Sequence, residues 1–147
     1  MALQATLLRD SFALVAAREP ELTARFYEIL FSRYPQLRRL FAPQRMAQQA
    51  DMLRDAIVAV LDHLDDATWL ESTLGALGAR HVDYGVDASM YPAVGECLIS
   101  ALGLIGGAQF TAQHAQAWSD AYAAIAGLML AGARAAQAEK VAHAHRR

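Results

Sequence analysis

Along nearly the whole of this 147-residue chain, apolar side chains return every three or four positions, in segments of unequal length separated by proline and glycine. That spacing predicts helices, because 3.6 residues per turn bring such positions to one face, whereas a half-buried strand alternates in twos. Leu8, Phe12 and Val15 form the stripe of a first helix that stops before Pro20. Pro20 can open the second helix, since a first-turn residue needs no amide proton. This second helix is expected to reach about Tyr34. It is apolar on more than one side, with Leu22, Phe26 and Leu30 on one face and Tyr27 and Phe31 beside it, so it must pack against more than one neighbour. Pro35 begins a short turn through Phe41, and Pro43 prevents its extension as a regular helix, so a corner is predicted there.

From about Gln44 to His63, the residues Met46, Gln49, Leu53, Ile57, Val60 and Leu61 share one helical face, and Asp62, Asp65 and Asp66 mark the way out. Leu70, Leu74, Leu77 and His81 then recur at intervals of four, three and four, which sets a histidine at the end of an aliphatic stripe. Tyr91 and Pro92 open another helix, with Val94, Leu98, Ala101 and Ile105 inward, and Gly106-Gly107 ends it. Thr111 is a suitable N-cap for a last long helix carrying Trp118, Tyr122, Ile125 and Met129, and the terminal HAHRR reads as a solvated, frayed tail. The fold class is all-α. Helices of such unequal length, joined by a proline-rich corner, do not suit an up-and-down four-helix bundle.

The length accommodates one domain with a sizeable core. Thirteen Lys and Arg against fifteen Asp and Glu leave a net charge of -2, so no strong field recruits nucleic acid or an anionic membrane, and a small-molecule partner is expected. Cys97 is the only cysteine, which excludes an internal disulfide and any cysteine-pair metal site and fits a reducing cytoplasm. The opening MALQATLLRDSF mixes acid and base among its apolar residues and does not read as a signal peptide. The longest uncharged run, Cys97 to Ser119, is broken by Gly106-Gly107 and a polar stretch, so no membrane insertion is expected.

Four of the five histidines have plain settings: His63 among aspartates, His114 in a polar first turn, His143 and His145 in the tail. His81 differs. A lone histidine on an apolar face is ordinarily a core residue bonded to a carbonyl. The same position also supplies what a haem requires, an imidazole nitrogen for iron and apolar walls for a flat porphyrin. Without further information, Phe41 and Leu53 suit the core of any helical protein, Tyr27 suits a buried tyrosine bonded to a carbonyl, and Gln49 would face solvent if the helix register were shifted.

The stretch FYEILFSRYPQLRRLF, then Gln49 with Leu53, the segment RHVDYGVDASMYPAVGECL, and AWSDAY together resemble the single-domain bacterial haemoglobins and the haem domain of flavohaemoglobins. The resemblance runs from roughly Leu3 to Leu130, in matching order, with a small length difference at the corner before Gln49. It implies a globin fold of six to eight helices around a haem pocket, occupying 1-138, with 139-147 as tail. It also implies a non-covalent haem b, since no C-x-x-C-H sequence is present to attach one. By the resemblance, His81 is the proximal iron ligand, Phe41 wedges against the porphyrin, and Tyr27 and Gln49 face the sixth coordination site. Leu53 lies one turn beyond Gln49, and that four-residue spacing favours Gln49 over Gln48. Leu77 and Val86 line the proximal side, Tyr91 reaches toward His81, and Arg80 and Arg45 are candidates for the haem propionates or for a solvated surface.

The implied function is reversible binding of oxygen, and of gases such as carbon monoxide and nitric oxide, by a monomer or homodimer. Reductase-linked members of the family carry a glutamate on the last helix that reaches the proximal histidine; the matching position here is Ala133. That departure argues against a strongly activated iron. The flavin and nicotinamide domain of flavohaemoglobins has no counterpart in these residues, so nitric oxide dioxygenation would draw on an external reductase. A haem-free regulatory module with the globin shape is a third reading, which the joint presence of His81, Phe41, Tyr27 and Gln49 disfavours. An electron-transfer cytochrome with a second histidine ligand is disfavoured by Gln49.

Overall fold

A computed structural model describes residues 4–145 of the chain; Leu3, where the resemblance begins, and the terminal Arg146 and Arg147 lie outside the described residues. The helices are α1 (Ala5–Ala16), α2 (Glu19–Arg33), α3 (Met46–Asp62), α4 (Ala67–Asp83), α5 (Met90–Gly106) and α6 (Ala112–His145). Short 3-10 turns at Pro35–Leu40 and Pro43–Arg45 form the corner before α3, and another at Gly107–Gln109 follows α5. No strand occurs among the described residues, and the all-α expectation holds. Pro20 sits in the first turn of α2, where its missing amide proton costs nothing. The third helix starts at Met46 rather than Gln44 because Pro43 opens its own tight turn first. Gly107, at φ 62°, closes α5 in a conformation that side chains disfavour. At the other end of the chain, α6 continues as an exposed helix through Glu139–His145, where the sequence reading has a tail; Lys140 there donates to Asp83 at 2.6 Å.

The main core joins α1, α2, α5 and the first half of α6, with Leu8, Val15, Leu22, Leu30, Cys97 and Leu102 nearly or fully excluded from solvent. α5 is long and apolar enough to cross a membrane by composition, yet Cys97, Ala101 and Leu102 on it are completely buried in this core. Polar contacts tie distant helix ends together. Arg9 donates to the Leu61 carbonyl at 3.2 and 3.0 Å, and Arg18 to that of Ile105 at 3.3 Å, satisfying groups that helix ends leave free. Trp118 Nε1 donates at 2.7 Å to the buried Ser11 hydroxyl, which itself donates to the Leu7 carbonyl at 2.7 Å.

α4 packs elsewhere. Its partner is α6, and Leu70 and Leu74 are buried apart from the main cluster. The two helices cross at glycines: a Cβ on Gly78 would collide with the Met129 backbone, and one on Gly132 with the Gly75 backbone. α3 packs on α1 and α2, and no comparable packing joins α3 to α4. The two meet at their connecting corner, where the His63 and Trp69 rings stack at 3.7 Å and 8° and Asp66 caps α4 by accepting from the Trp69 amide at 3.0 Å.

Candidate functional site

Two groups of buried and half-buried side chains stand on either side of the region where α3 and α4 do not pack together. On one wall, Tyr27 projects from α2 with 7% of its surface exposed. Its ring lies 4.8 Å from Phe26, 6.0 Å from Phe31 and 5.6 Å from Phe41, centroid to centroid. Its hydroxyl donates to the main-chain carbonyl of Gln49 at 3.5 Å, a long contact. Burial pushes the phenol above its ordinary range and the Gln49 side chain opposes this, so the group stays protonated and remains a donor at neutral pH. Gln49 is half-buried while Gln48 is exposed, which agrees with the inward register expected for Gln49. Leu53 follows one turn later, partly buried against the main core as Phe41 is.

On the other wall, His81 stands half-buried near the end of α4. Its Nδ1 lies 2.8 Å from the Leu77 carbonyl, an acceptor, so the proton belongs on Nδ1 and Nε2 keeps its lone pair. Burial lowers the imidazole pKa; the Leu77 bond opposes that, and the nearby Arg80 charge adds to it. A neutral ring with a bare Nε2 is the form that ligates metal. Among the described residues no cluster of three acidic, histidine or cysteine side chains could hold a metal ion. One imidazole therefore suits a metal that brings its other ligands with it, as haem iron does.

The chain then turns through Gly85, at φ 89°, and the Val86 amide donates back to the His81 carbonyl at 3.0 Å. Leu77 and Val86 are both half-buried apolar residues beside His81 in the chain. Tyr91 is buried at the start of α5, and burial raises its phenol pKa. The acceptor at His81 Nδ1 is the Leu77 carbonyl; among the described residues no hydrogen bond joins Tyr91 to His81. Tyr91 is held instead through its own carbonyl, which accepts from the Tyr122 hydroxyl at 2.6 Å. Gly95 makes room for that arrangement, since a Cβ there would lie 2.5 Å from the Tyr122 ring. Ala133 is buried on α6 and Asp83 is paired with Lys140; among the described residues no carboxylate is hydrogen-bonded to His81. Arg80 and Arg45 are exposed and form no ion pair among the described residues.

Sequence reasoning passed over two residues. Tyr84, 56% exposed, sets its ring 5.6 Å from that of His81; the signal was its three-residue spacing from the histidine. Phe31 was placed beside the second helix's face, but its contact with both Tyr27 and Phe41 was not foreseen. A shallow groove of about 440 Å³ between α5 and the start of α6, lined by Glu96, Ser100 and Gln116, shares no residue with this site.

The flavohemoprotein of Bacillus thuringiensis is 32% identical over 122 residues, which make up 82% of this chain and 30% of that protein. The chain thus spans about 30% of the length of that relative. Among solved structures, an engineered carbene transferase from Rhodothermus marinus, provisionally described as a nitric oxide dioxygenase, is similar with a TM-score of 0.82 at 28% identity, covering 93% of this chain and 95% of that one. A bacterial globin from Campylobacter jejuni is similar with a TM-score of 0.77 at 25% identity, covering 89% and 94%. The sequence profile of the Globin family matches residues 24–129, well over half of the length, and with the helical architecture described above this chain belongs to the globin family.

Proposed function

We propose that the chain would hold a non-covalent haem b through His81 Nε2 and reversibly bind oxygen, with carbon monoxide and nitric oxide as further ligands, on the side of Tyr27 and Gln49. The observation that carries this reading is the His81 ring itself: Nδ1 is bonded to Leu77, and Nε2 is left bare on a helix that makes no close packing with α3. When bound, the haem supplies a ferrous iron that takes a diatomic gas and shifts negative charge onto it. The chain's part is to orient and to shield. The Leu77 carbonyl fixes the imidazole tautomer, and Leu77, Val86, Tyr91, Leu53 and Phe41 supply apolar walls that keep water from the metal. Tyr27 and Gln49 offer a hydroxyl and an amide as donors toward the gas. A hydrogen bond to a charge-bearing group is worth about 1.5 to 3 kcal/mol, or roughly ten- to a hundredfold slower release. Arg80 and Arg45, exposed and without an ion pair among the described residues, are the candidates for the propionates.

Nitric oxide dioxygenation with electrons from an external reductase is the second reading, favoured by the flavohemoprotein relatives and by the Rhodothermus structure. The bond from His81 to a neutral carbonyl, and an alanine rather than a glutamate at position 133, favour the carrier, because a carboxylate partner would make the imidazole a stronger electron donor. The buried, unpaired Cys97 thiol suits a reducing cytoplasm. The test is an absorption spectrum of the purified protein. An intense Soret band that shifts when oxygen or carbon monoxide meets the reduced form is expected, and His81→Ala should abolish haem retention. A colourless protein that takes up no added haem would refute the proposal. Steady nitric oxide consumption with an added electron donor would favour the second reading.

A further inference from the structure

The contact between the Tyr27 hydroxyl and the Gln49 carbonyl, at 3.5 Å, lies at the limit of a hydrogen bond and does not by itself fix the direction of the phenol. Ring packing sets it. Tyr27, Phe31 and Phe41 close a triangle, with centroids 6.0 Å apart for Tyr27 and Phe31, 5.6 Å for Tyr27 and Phe41, and 5.4 Å for Phe31 and Phe41. Both pairs that include Phe41 are edge-to-face, at 70° and 67°, the arrangement that ring quadrupoles favour. Phe31 lies one helical turn after Tyr27 on α2 and against the corner residue Phe41, the member common to both pairs. It is only partly buried, and its ring is covered by Arg38, whose guanidinium carbon sits 4.9 Å from the centroid. A cation over a ring face is attracted to it, so Arg38 holds Phe31 in place.

We infer that Phe31, held under Arg38, is a positioning residue that aims the Tyr27 hydroxyl at the bound gas; this rests on Tyr27 being the donor proposed above. Losing the donor outright is worth roughly ten- to a hundredfold in release rate, and a misaimed donor loses part of that. Phe31→Leu is therefore expected to speed oxygen release by about three- to tenfold while leaving carbon monoxide release close to the parent's. Arg38→Met, a surface change that does not threaten folding, should act in the same direction to a smaller extent, and Arg38→Lys should restore most of the effect.

The experiment is a double-mutant cycle in the haem-bound protein, with oxygen and carbon monoxide release measured by stopped flow for the parent, Phe31→Leu, Tyr27→Phe and the double variant. If Phe31 acts through the hydroxyl, Phe31→Leu changes nothing further in the Tyr27→Phe background. A second readout does not involve gas release: nuclear Overhauser contacts between the Tyr27 and Phe41 rings, recorded with and without haem, should weaken in Phe31→Leu and Arg38→Met. Equal acceleration of both gases, a full Phe31→Leu effect without the Tyr27 hydroxyl, or no change in release would overturn the positioning role. Tyr27→Phe alone reads the underlying assignment. If it accelerates both gases alike, Tyr27 is not the donor, and the ring contacts still report whether Phe31 and Arg38 hold its ring.

Discussion

Replacing Gly78 with alanine would add one methyl group where α4 and α6 touch backbone to backbone. The new Cβ would lie 2.5 Å from the carbonyl carbon of Met129 and 2.7 Å from its Cα. Carbon atoms ordinarily meet at about 3.5 to 4.0 Å, so the helices must part by about 1 Å. No side chain can swing aside to absorb this, because every atom met belongs to the main chain. Alanine is the better helix former by about 1 kcal/mol. Overpacking in a core costs about 1 to 3 kcal/mol, and rigid backbone on both sides puts this site at the upper end. Strain wins, for a net loss of about 2 kcal/mol, which lowers Tm by roughly 4 to 8 °C in a chain of this size. Gly127, on the same helix α6, is the internal control. A Cβ there meets nothing within 4 Å, so Gly127→Ala should raise stability by up to about 1 kcal/mol. Thermal melts followed by far-ultraviolet circular dichroism compare the two. Haem retention should also fall in Gly78→Ala, since His81 rides on the next turn of α4. If Gly78→Ala melted at or above Gly127→Ala, the two backbones would not be in contact and the reasoning would fail.

Ser11→Ala leaves the buried Trp118 indole N–H without its acceptor and should cost about 1 to 3 kcal/mol in urea denaturation; an unchanged midpoint would show that the bond is not retained in solution. Asp66→Ala removes the cap on α4 and should cost about 1 kcal/mol, with Asp66→Asn recovering most of it in the same melts. Acid should also weaken the haem-free chain through His81. Burial is the main force lowering its pKa from 6.5, so a proton binds the unfolded chain more readily than the folded one. The stability of the neutral ring is complete above that value and is lost as pH falls through the folded pKa. Stability against pH should therefore drop more steeply below 6.5 for the parent than for His81→Gln, and parallel curves would contradict the assignment.

The helices were legible because their signals are local. Proline at 20, 35 and 43 and glycine at 106 and 107 act on their own neighbours, and the Leu70, Leu74, Leu77, His81 stripe survives as one face of α4. Where α3 begins was less legible, since Pro43 starts a 3-10 turn of its own before Met46. The long-range devices left no pattern to find. Nothing near Arg9 or Arg18 indicates that they satisfy carbonyls 52 and 87 residues away, because those bonds exist only once the helices are docked. By propensity alone the glycines at 75, 78 and 132 only weaken their helices, and the crossing reveals them as the condition for close approach. At the site, the inward register of Gln49 followed from spacing. The hold on Tyr91 through Tyr122 depends on Gly95 leaving room for a ring, which no periodicity records.

The division of the packing into two partnerships, α3 with α1 and α2, α4 with α6, has a consequence for the life of the chain in a cell. Whatever lodges between α3 and α4 bridges two helices that otherwise meet at the His63 and Trp69 corner, so it works as a keystone. Occupancy at a hundred times the dissociation constant adds about 2.7 kcal/mol to folding stability. Scarcity of the small molecule would then register first as faster proteolysis, with abundance of the chain tracking its supply.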